Sequence, residues 1–476
     1  MQNLRFGLTF NDVLLVPKRT PLSSRTEADL KTKFTRNITL NIPLVSSNMA
    51  SVTEHKMAIL MARAGGLGVL HQFCTIDEQV EEVKKVKRST SYVIDHPLTV
   101  QDHITIAQAI EKMETQGVTS LLVMRADELV GIFTSRDYLF ETDLNKRISD
   151  VMTPKERLVT APYGITHEEA KKILHQHRIE KLPLVDHGRL LGLITTKDIH
   201  KLEAWPNASR DSKGRLRVGA AVGVKDTLER AQALVDGGVD VLIIDIAHCH
   251  SDFALQRIRE LKSLFPTVDL MAGNIATAEA AKDLIEAGAD GLKVGIGPSA
   301  VCTTRIMSGS GVPQLTAIMD VISVARQYGI PVSADGGMQT PGDVVKAIAA
   351  GASTIYSGSL FAGTDEAPGF IITKDGRKYK RYMGSASYDS NHERKERLEG
   401  KQVKEKLDVY VEGVATLVDY KGPVEGVITG LTKGLQSGLS YCGARTIDEM
   451  HTNAEFIQIT PNGLEESKAR GNIFSE

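Results

Sequence analysis

At 476 residues the chain exceeds a single typical domain, so at least two are expected, one of them large enough for a substantial core. A formal net charge of −2, with 24 % charged and 42 % hydrophobic residues, suits a globular protein and argues against nucleic-acid or membrane-surface binding. The four cysteines, Cys74, Cys249, Cys302 and Cys442, show neither metal-ligand spacing nor a disulfide framework. The N-terminus has no apolar signal core and no apolar run is long enough to span a bilayer, so a reducing, cytoplasmic setting is expected.

In chain order, residues 41–47 and 66–70 read as short apolar strands separated by a helical stretch at 55–64. Alternation resumes after about residue 215, with strands expected at 216–222, 239–245, 269–273, 291–294, 332–334 and 354–357, and helices such as 227–236 and 277–287 between them. Eight strands alternating with helices predict a (β/α)8 barrel, whose functional residues belong where strands end and loops begin. His248, Asn274, Cys302, Asp335 and Ser359 all fall at such places.

The interruption between roughly Tyr92 and Trp205 contains a repeat offset by 61 residues. Gly131-Ile-Phe-Thr-Ser-Arg-Asp137 recurs as Gly192-Leu-Ile-Thr-Thr-Lys-Asp198, and residues 120–123 recur as 181–184. Each copy reads helix, strand, turn, strand, helix. The polar, turn-rich stretch 205–214 reads as a hinge back into the barrel. Residues 388–408 are densely charged and poor in apolar side chains, which fits a mobile, solvated flap or an exposed helix.

The most informative stretch is Gly295-Ile-Gly-Pro-Ser-Ala-Val-Cys-Thr-Thr-Arg305, directly after the 291–294 strand. A thiol beside two hydroxyls and Arg305 is a candidate nucleophile, and on residue type alone an inert buried cysteine is the plainer alternative. Asp335 precedes Gly336-Gly337, so its carboxylate could accept ribose hydroxyls, or it could simply cap a turn. Gly358-Ser359 follows the last strand, where barrels often bind phosphate through backbone N–H groups. His248-Cys249-His250 holds three potential metal ligands, but zinc would need better spacing and a further ligand, so no metal is assigned.

The 295–305 loop, together with Leu8-Thr-Phe-Asn-Asp-Val-Leu-Leu-Val-Pro17, Gly273-Asn274, Ala334-Asp335-Gly336-Gly337 and Gly358-Ser359-Leu360-Phe361-Ala362-Gly363, in that order, resembles the IMP dehydrogenase and GMP reductase family. The resemblance covers essentially the whole chain. It implies a catalytic barrel from residues 1–91 and 206–476, a mobile flap at 384–412, and a tandem CBS-type (Bateman) insert at 92–205. It also implies Cys302, Thr304 and Glu412 as catalytic residues. Substrate contacts are expected from Ser47, Asn48, Asp335, Gly337, Gly358, Ser359, Tyr382, Met383 and Gly384. Cofactor contacts are expected from Asp245, Ala247, His248, Asn274, Gly295 and Gly297. In the insert, Asp137 and Asp198 are expected to meet the ribose of a regulatory ATP or GTP; a structural insert with an empty cleft is the alternative.

Dehydrogenases of this family carry an Arg-Tyr pair in the flap that activates water, and none occurs here between Gly384 and Glu412. Gly384-Ser-Ala-Ser387, Glu399-Gly-Lys401, Leu435-Gln-Ser-Gly-Leu-Ser-Tyr441 and Ser47-Asn48-Met49 also resemble reductases. The implied activity is NADPH-dependent reductive deamination of GMP to IMP and ammonia. The insert and the C-terminal Ala454-Glu-Phe-Ile-Gln-Ile look more like dehydrogenases, so NAD-dependent oxidation of IMP to XMP remains the alternative, with a non-catalytic purine nucleotide sensor as a third reading. Ser299 and Ala300 replace the family's Gly-Ser, which removes an expected phosphate contact and disturbs the family's monovalent cation (K+) site, so K+ is not assigned. The resemblance further implies a homotetramer or octamer.

Overall fold

The structure, a computed structural model, describes residues 4–89, 93–94, 97–223, 226–388 and 411–469. Eight strands, β1 (Leu44–Ser46), β2 (Leu67–Leu70), β3 (Gly219–Val222), β4 (Val241–Asp245), β5 (Asp269–Ile275), β6 (Gly291–Val294), β7 (Val332–Asp335) and β8 (Thr354–Ser357), close in chain order into a barrel. Every pairing is parallel, and β8 returns to β1 with Ser357 opposite Ser46. Eight helices follow the strands: α1 (His55–Arg63), α2 (Ile76–Ser89), α3 (Thr227–Asp236), α4 (Asp252–Leu264), α5 (Ala278–Glu286), α6 (Gln314–Ala325), α7 (Pro341–Ala349) and α8 (Val424–Tyr441). This is the (β/α)8 barrel that the alternation predicts.

The strands are short and apolar because both faces are covered, one by the barrel interior and one by helices. Val45, Leu67, Val69, Val241, Ile243, Met271 and Tyr356 form one buried cluster with Phe34, Ile38 and Leu40. α1 lies so close to β2 that a Cβ on Gly68 would stand 2.4 Å from Ala58 Cα, which explains a glycine inside a buried strand. Helix starts are capped as their sequences predict: Thr277 accepts from Ala280 N, and Thr340 with Asp343 makes a capping box in front of Pro341.

Several boundaries shift for local reasons. β3 begins at Gly219 rather than 216 because the Val218 N–H is taken by the Asp240 carboxylate at 2.7 Å. β1 begins at Leu44 rather than 41 because the Asn41 and Ile42 N–H groups both donate to Gly65 O. β5 runs on to Ile275, which carries Asn274 on the strand itself. The 205–214 stretch, read as a hinge, is anchored in part: Asn207 O accepts from Asn41 Nδ2 at 2.7 Å, and Ser209 N donates to Ala62 O.

The chain divides into two compact units, one of Met1–Ser89, Asn207–Asp211 and Leu216–Glu476, the other of Thr90–Pro206 and Ser212–Arg215. In the second, helices Ile106–Gln116 and His167–His177, hairpins Ser120–Arg125 with Glu128–Thr134 and Lys181–Asp186 with Arg189–Thr195, and helices Ser135–Tyr138 and Thr196–Glu203 follow the 61-residue offset. Even the hairpin irregularities match, at Val123/Met124 and Leu184/Val185. Each copy has its own core, around Ile106, Leu121 and Phe133 in one and Leu174, Leu182 and Ile194 in the other. Most of the expected flap lies outside the described residues; only its ends, 384–388 and 411–412, are described.

Candidate active site

A cavity of about 400 Å³ opens at the C-terminal ends of the barrel strands. Of the residues picked from the sequence, Ser47, Asn48, Asp245, Ala247, Asn274, Gly295, Gly297, Cys302, Thr304, Asp335, Gly384 and Glu412 line it. Asp245, Asn274 and Asp335 lie at the ends of β4, β5 and β7, and the others follow β1, β4, β6 and β8, so one strand-end set converges as the fold dictates.

Cys302 is half-buried and reduced. Its Sγ donates to Thr304 Oγ1 at 3.2 Å, and Thr304 Oγ1 donates to Glu412 Oε2 at 2.8 Å. The thiol proton therefore faces a hydroxyl that is itself aimed at a carboxylate, a geometry that passes a proton in either direction. The backbone fixes it: Thr303 N donates to Glu412 O, Val414 N to Val301 O, and Glu412 N to Ala386 O. Arg305, expected beside the thiol, is used differently. Its Nε and Nη2 donate to Ile296 O and Val312 O, so it staples the loop.

The cavity floor is a polar cluster on β4 to β8. Lys293 Nζ lies 2.8 Å from Asp245 Oδ1 and 2.7 Å from Asp335 Oδ2, and also donates to Asn274 Oδ1. Asn274 Nδ2 reaches Asp335 Oδ2 at 2.9 Å and Gly295 O at 2.6 Å. Asn48 Nδ2 donates to Asp245 Oδ2 at 2.8 Å and its Oδ1 accepts from Tyr356 Oη at 2.6 Å. Burial alone would depress the Lys293 ammonium, but Asp245 and then Asp335 hold it above its ordinary value. Burial, with the same carboxylates, pushes the Tyr356 phenol well up, so it stays neutral.

Gly337, Gly358, Ser359, Tyr382, Met383 and His248 lie outside the lining of this cavity. Gly358 is nevertheless next to it: a Cβ there would stand 2.5 Å from Met49 Sδ, 2.7 Å from Tyr382 Oη and 3.0 Å from Ser47 Oγ. Among the described residues the Ser47 hydroxyl is buried without a partner, and burial pushes the Tyr382 phenol up to about 12 against a Ser299 hydrogen bond. Gly337 (φ +83°) abuts Pro298 and Gln314. Ser359 O accepts from Lys421, and Met383 N donates to Ser51 Oγ. His248 is exposed, whereas His250 pairs with Asp283 and burial pushes the Cys249 thiol up to about 12. Among the described residues no group of three His, Cys, Asp or Glu side chains is placed to hold a metal. In the second unit the Asp137 carboxylate takes the Thr134 N–H and hydroxyl, and Asp198 takes the Thr195 hydroxyl.

Reading the sequence missed Lys293, Tyr356 and Gln314. The signal for Lys293 was present: a lysine inside a four-residue strand that is otherwise apolar must be paired if it is buried. Gln314 opens α6 and ties the ends of β6 and β7, donating to Val294 O and Asp335 O.

Residues 7–470 match the family model described as the IMP dehydrogenase / GMP reductase domain. The chain is 51 % identical to inosine-5′-monophosphate dehydrogenase of Nitrosopumilus maritimus (strain SCM1), over 97 % of this chain and 98 % of that one. It is 47 % identical to GMP reductase of Leishmania donovani, over 97 % and 96 %. Among solved structures it is similar to a cysteine-to-alanine variant of GMP reductase from Trypanosoma brucei in complex with guanosine 5′-monophosphate, with TM-score 0.87, 43 % identity and coverage of 98 % of both chains. The Trypanosoma brucei enzyme in complex with guanosine 5′-triphosphate is similar too, with TM-score 0.75, 40 % identity and coverage of 96 % and 99 %.

Proposed function

Because the chain belongs to the IMP dehydrogenase / GMP reductase family of oxidoreductases, we propose that it is a GMP reductase, converting GMP and NADPH to IMP, ammonia and NADP+. Relatives carry both names, so the choice rests on one observation: residues 384–412 hold no Arg-Tyr pair to activate water. Among the described residues, the polar side chains that reach Cys302 are Thr304 and, through it, Glu412.

In this reading Glu412, acting through Thr304, takes the thiol proton as Cys302 Sγ adds to C2 of the purine. The same relay returns that proton to the 2-amino group, the C2–N bond breaks, and ammonia leaves a covalent thioimidate on Cys302. NADPH supplies the hydride to C2; the C2–S bond then breaks, IMP leaves and the thiolate is reprotonated. Asp335 accepts ribose hydroxyls, with Gly337, Gly358, Ser359, Ser47 and Tyr382 around the phosphate and Asn48, Met383 and Gly384 toward the base. Asp245, Ala247, His248, Asn274, Gly295 and Gly297 serve the nicotinamide side. Fit on that side is supported by the cavity running past Asp245 and Ala247 to the Gly295–Gly297 turn.

The proposal extends to the second unit as a CBS pair that binds ATP or GTP near Asp137 and Asp198, in a tetramer or octamer. Its repeated elements and the guanosine 5′-triphosphate complex of the Trypanosoma brucei enzyme support the nucleotide site.

Product stoichiometry tests the activity. One IMP and one ammonia per NADPH consumed is expected from GMP, and XMP formed from IMP and NAD would instead make the protein a dehydrogenase.

A further inference from the structure

Lys293 is the only lysine or arginine in the eight barrel strands, and its side chain is 2 % exposed. An ammonium has three protons to donate, and here Asp245 Oδ1, Asp335 Oδ2 and Asn274 Oδ1 take all three. It has none left for a ligand or for departing ammonia. Asp335 is left differently: Oδ2 holds Lys293 and Asn274, while Oδ1 has no partner among the described residues, on a side chain that lines the cavity. A second path, Tyr356 to Asn48 to Asp245, closes on the same cluster, and the Lys293 ammonium sits 5.1 Å from the Tyr356 ring centroid.

We propose that Lys293 is a positioning residue that couples the nucleotide subsite to the dinucleotide subsite, because one saturated ammonium fixes the carboxylates of Asp335 and Asp245 together. This rests on the assignment of those carboxylates to the two subsites made above. Without the cation, two carboxylates would share the cavity floor with no counter-ion, and their repulsion would favour uptake of a proton by one of them. The groups facing Lys293 are Asp245, Asn274, Asp335, Tyr356 and Cys249, and the last two stay neutral because burial pushes both up. Asp245 and Asp335 are thus the pair that would titrate.

The test is calorimetric titration of GMP with and without NADP+, and of IMP with and without NADH, pairs that cannot exchange hydride. The unmodified protein is expected to bind each nucleotide with an affinity that changes when the dinucleotide is present. Lys293→Met should weaken nucleotide binding roughly tenfold at pH 7 and abolish that response. Relative to the unmodified protein, its affinity should also recover as pH rises. Lys293→Met/Asp245→Asn should remove the pH dependence without restoring the response. Should Lys293→Met fail to fold, Asp245→Asn alone decides, and a several-fold loss of GMP affinity from the dinucleotide side is expected. Uncoupled binding of both pairs in the unmodified protein, or GMP binding unchanged in Asp245→Asn, overturns the proposal. Coupling seen with IMP while turnover runs toward XMP would instead retain Lys293 and overturn the reductase assignment.

Discussion

Glu412 stands 108 residues beyond Thr304 in the chain, yet the two share a hydrogen bond of 2.8 Å. A carboxylate brought in from that distance and stacked behind a hydroxyl that meets a thiol is the arrangement a shared proton requires. Cys302→Ala should therefore abolish turnover while GMP affinity changes little, since the thiol bonds covalently only during reaction. Equal losses of rate and binding would contradict that role. Glu412→Gln should lower kcat by about 10²–10⁴ with a much smaller effect on KM, the range typical of a general acid–base group. Thr304→Val should mimic it; an unchanged kcat in either would remove the relay. At this scale Cys302 and Asp335 were picked out by their own neighbours in the chain, whereas Thr304 and Glu412 came from the family resemblance. Lys293 showed only as a lysine in an apolar strand; its partners, Asp245 and Asp335, are 48 and 42 residues away in sequence and were not readable from it.

The loop after β6 is the element on which the thiol depends, and it is held by close backbone approaches. Gly295 adopts φ +151°, and a Cβ there would lie 2.2 Å from Asp335 O, a backbone atom that cannot swing aside. Gly295→Ala should cost most of the activity while far-ultraviolet circular dichroism stays unchanged; retained kcat would show that the loop tolerates the strain. Gly68→Ala acts on packing instead, forcing α1 off β2, and should lower stability by about 1–3 kcal/mol in urea denaturation. His451, on helix Ile447–Asn453, donates its Nε2–H to Ala352 O, and burial holds its pKa below the usual 6.5. A depressed histidine favours the neutral fold, so its contribution is present above pH 6.5 and is lost as pH falls. His451→Gln should flatten that acid limb in thermal melts. Elements were legible wherever periodicity and caps agreed. Their ends moved where a side chain took a backbone partner, as Asp240 does at Val218.

At the scale of the molecule, two units each with its own core should unfold as more than one transition, with calorimetric enthalpy exceeding the van't Hoff value. A single two-state transition would show the units to be energetically inseparable. The barrel and the 61-residue repeat were readable because both are periodic, and periodicity survives in sequence without any knowledge of contacts. The proposed direction of the reaction is not periodic; it is read from a short segment that holds no Arg-Tyr pair. Absorbance at the reduced-nicotinamide band, followed with GMP plus NADPH and in parallel with IMP plus NAD, tests it most directly. The reductase account predicts decay in the first mixture and no change in the second. Growth in the second with no decay in the first would contradict it and place a water activator elsewhere in the chain.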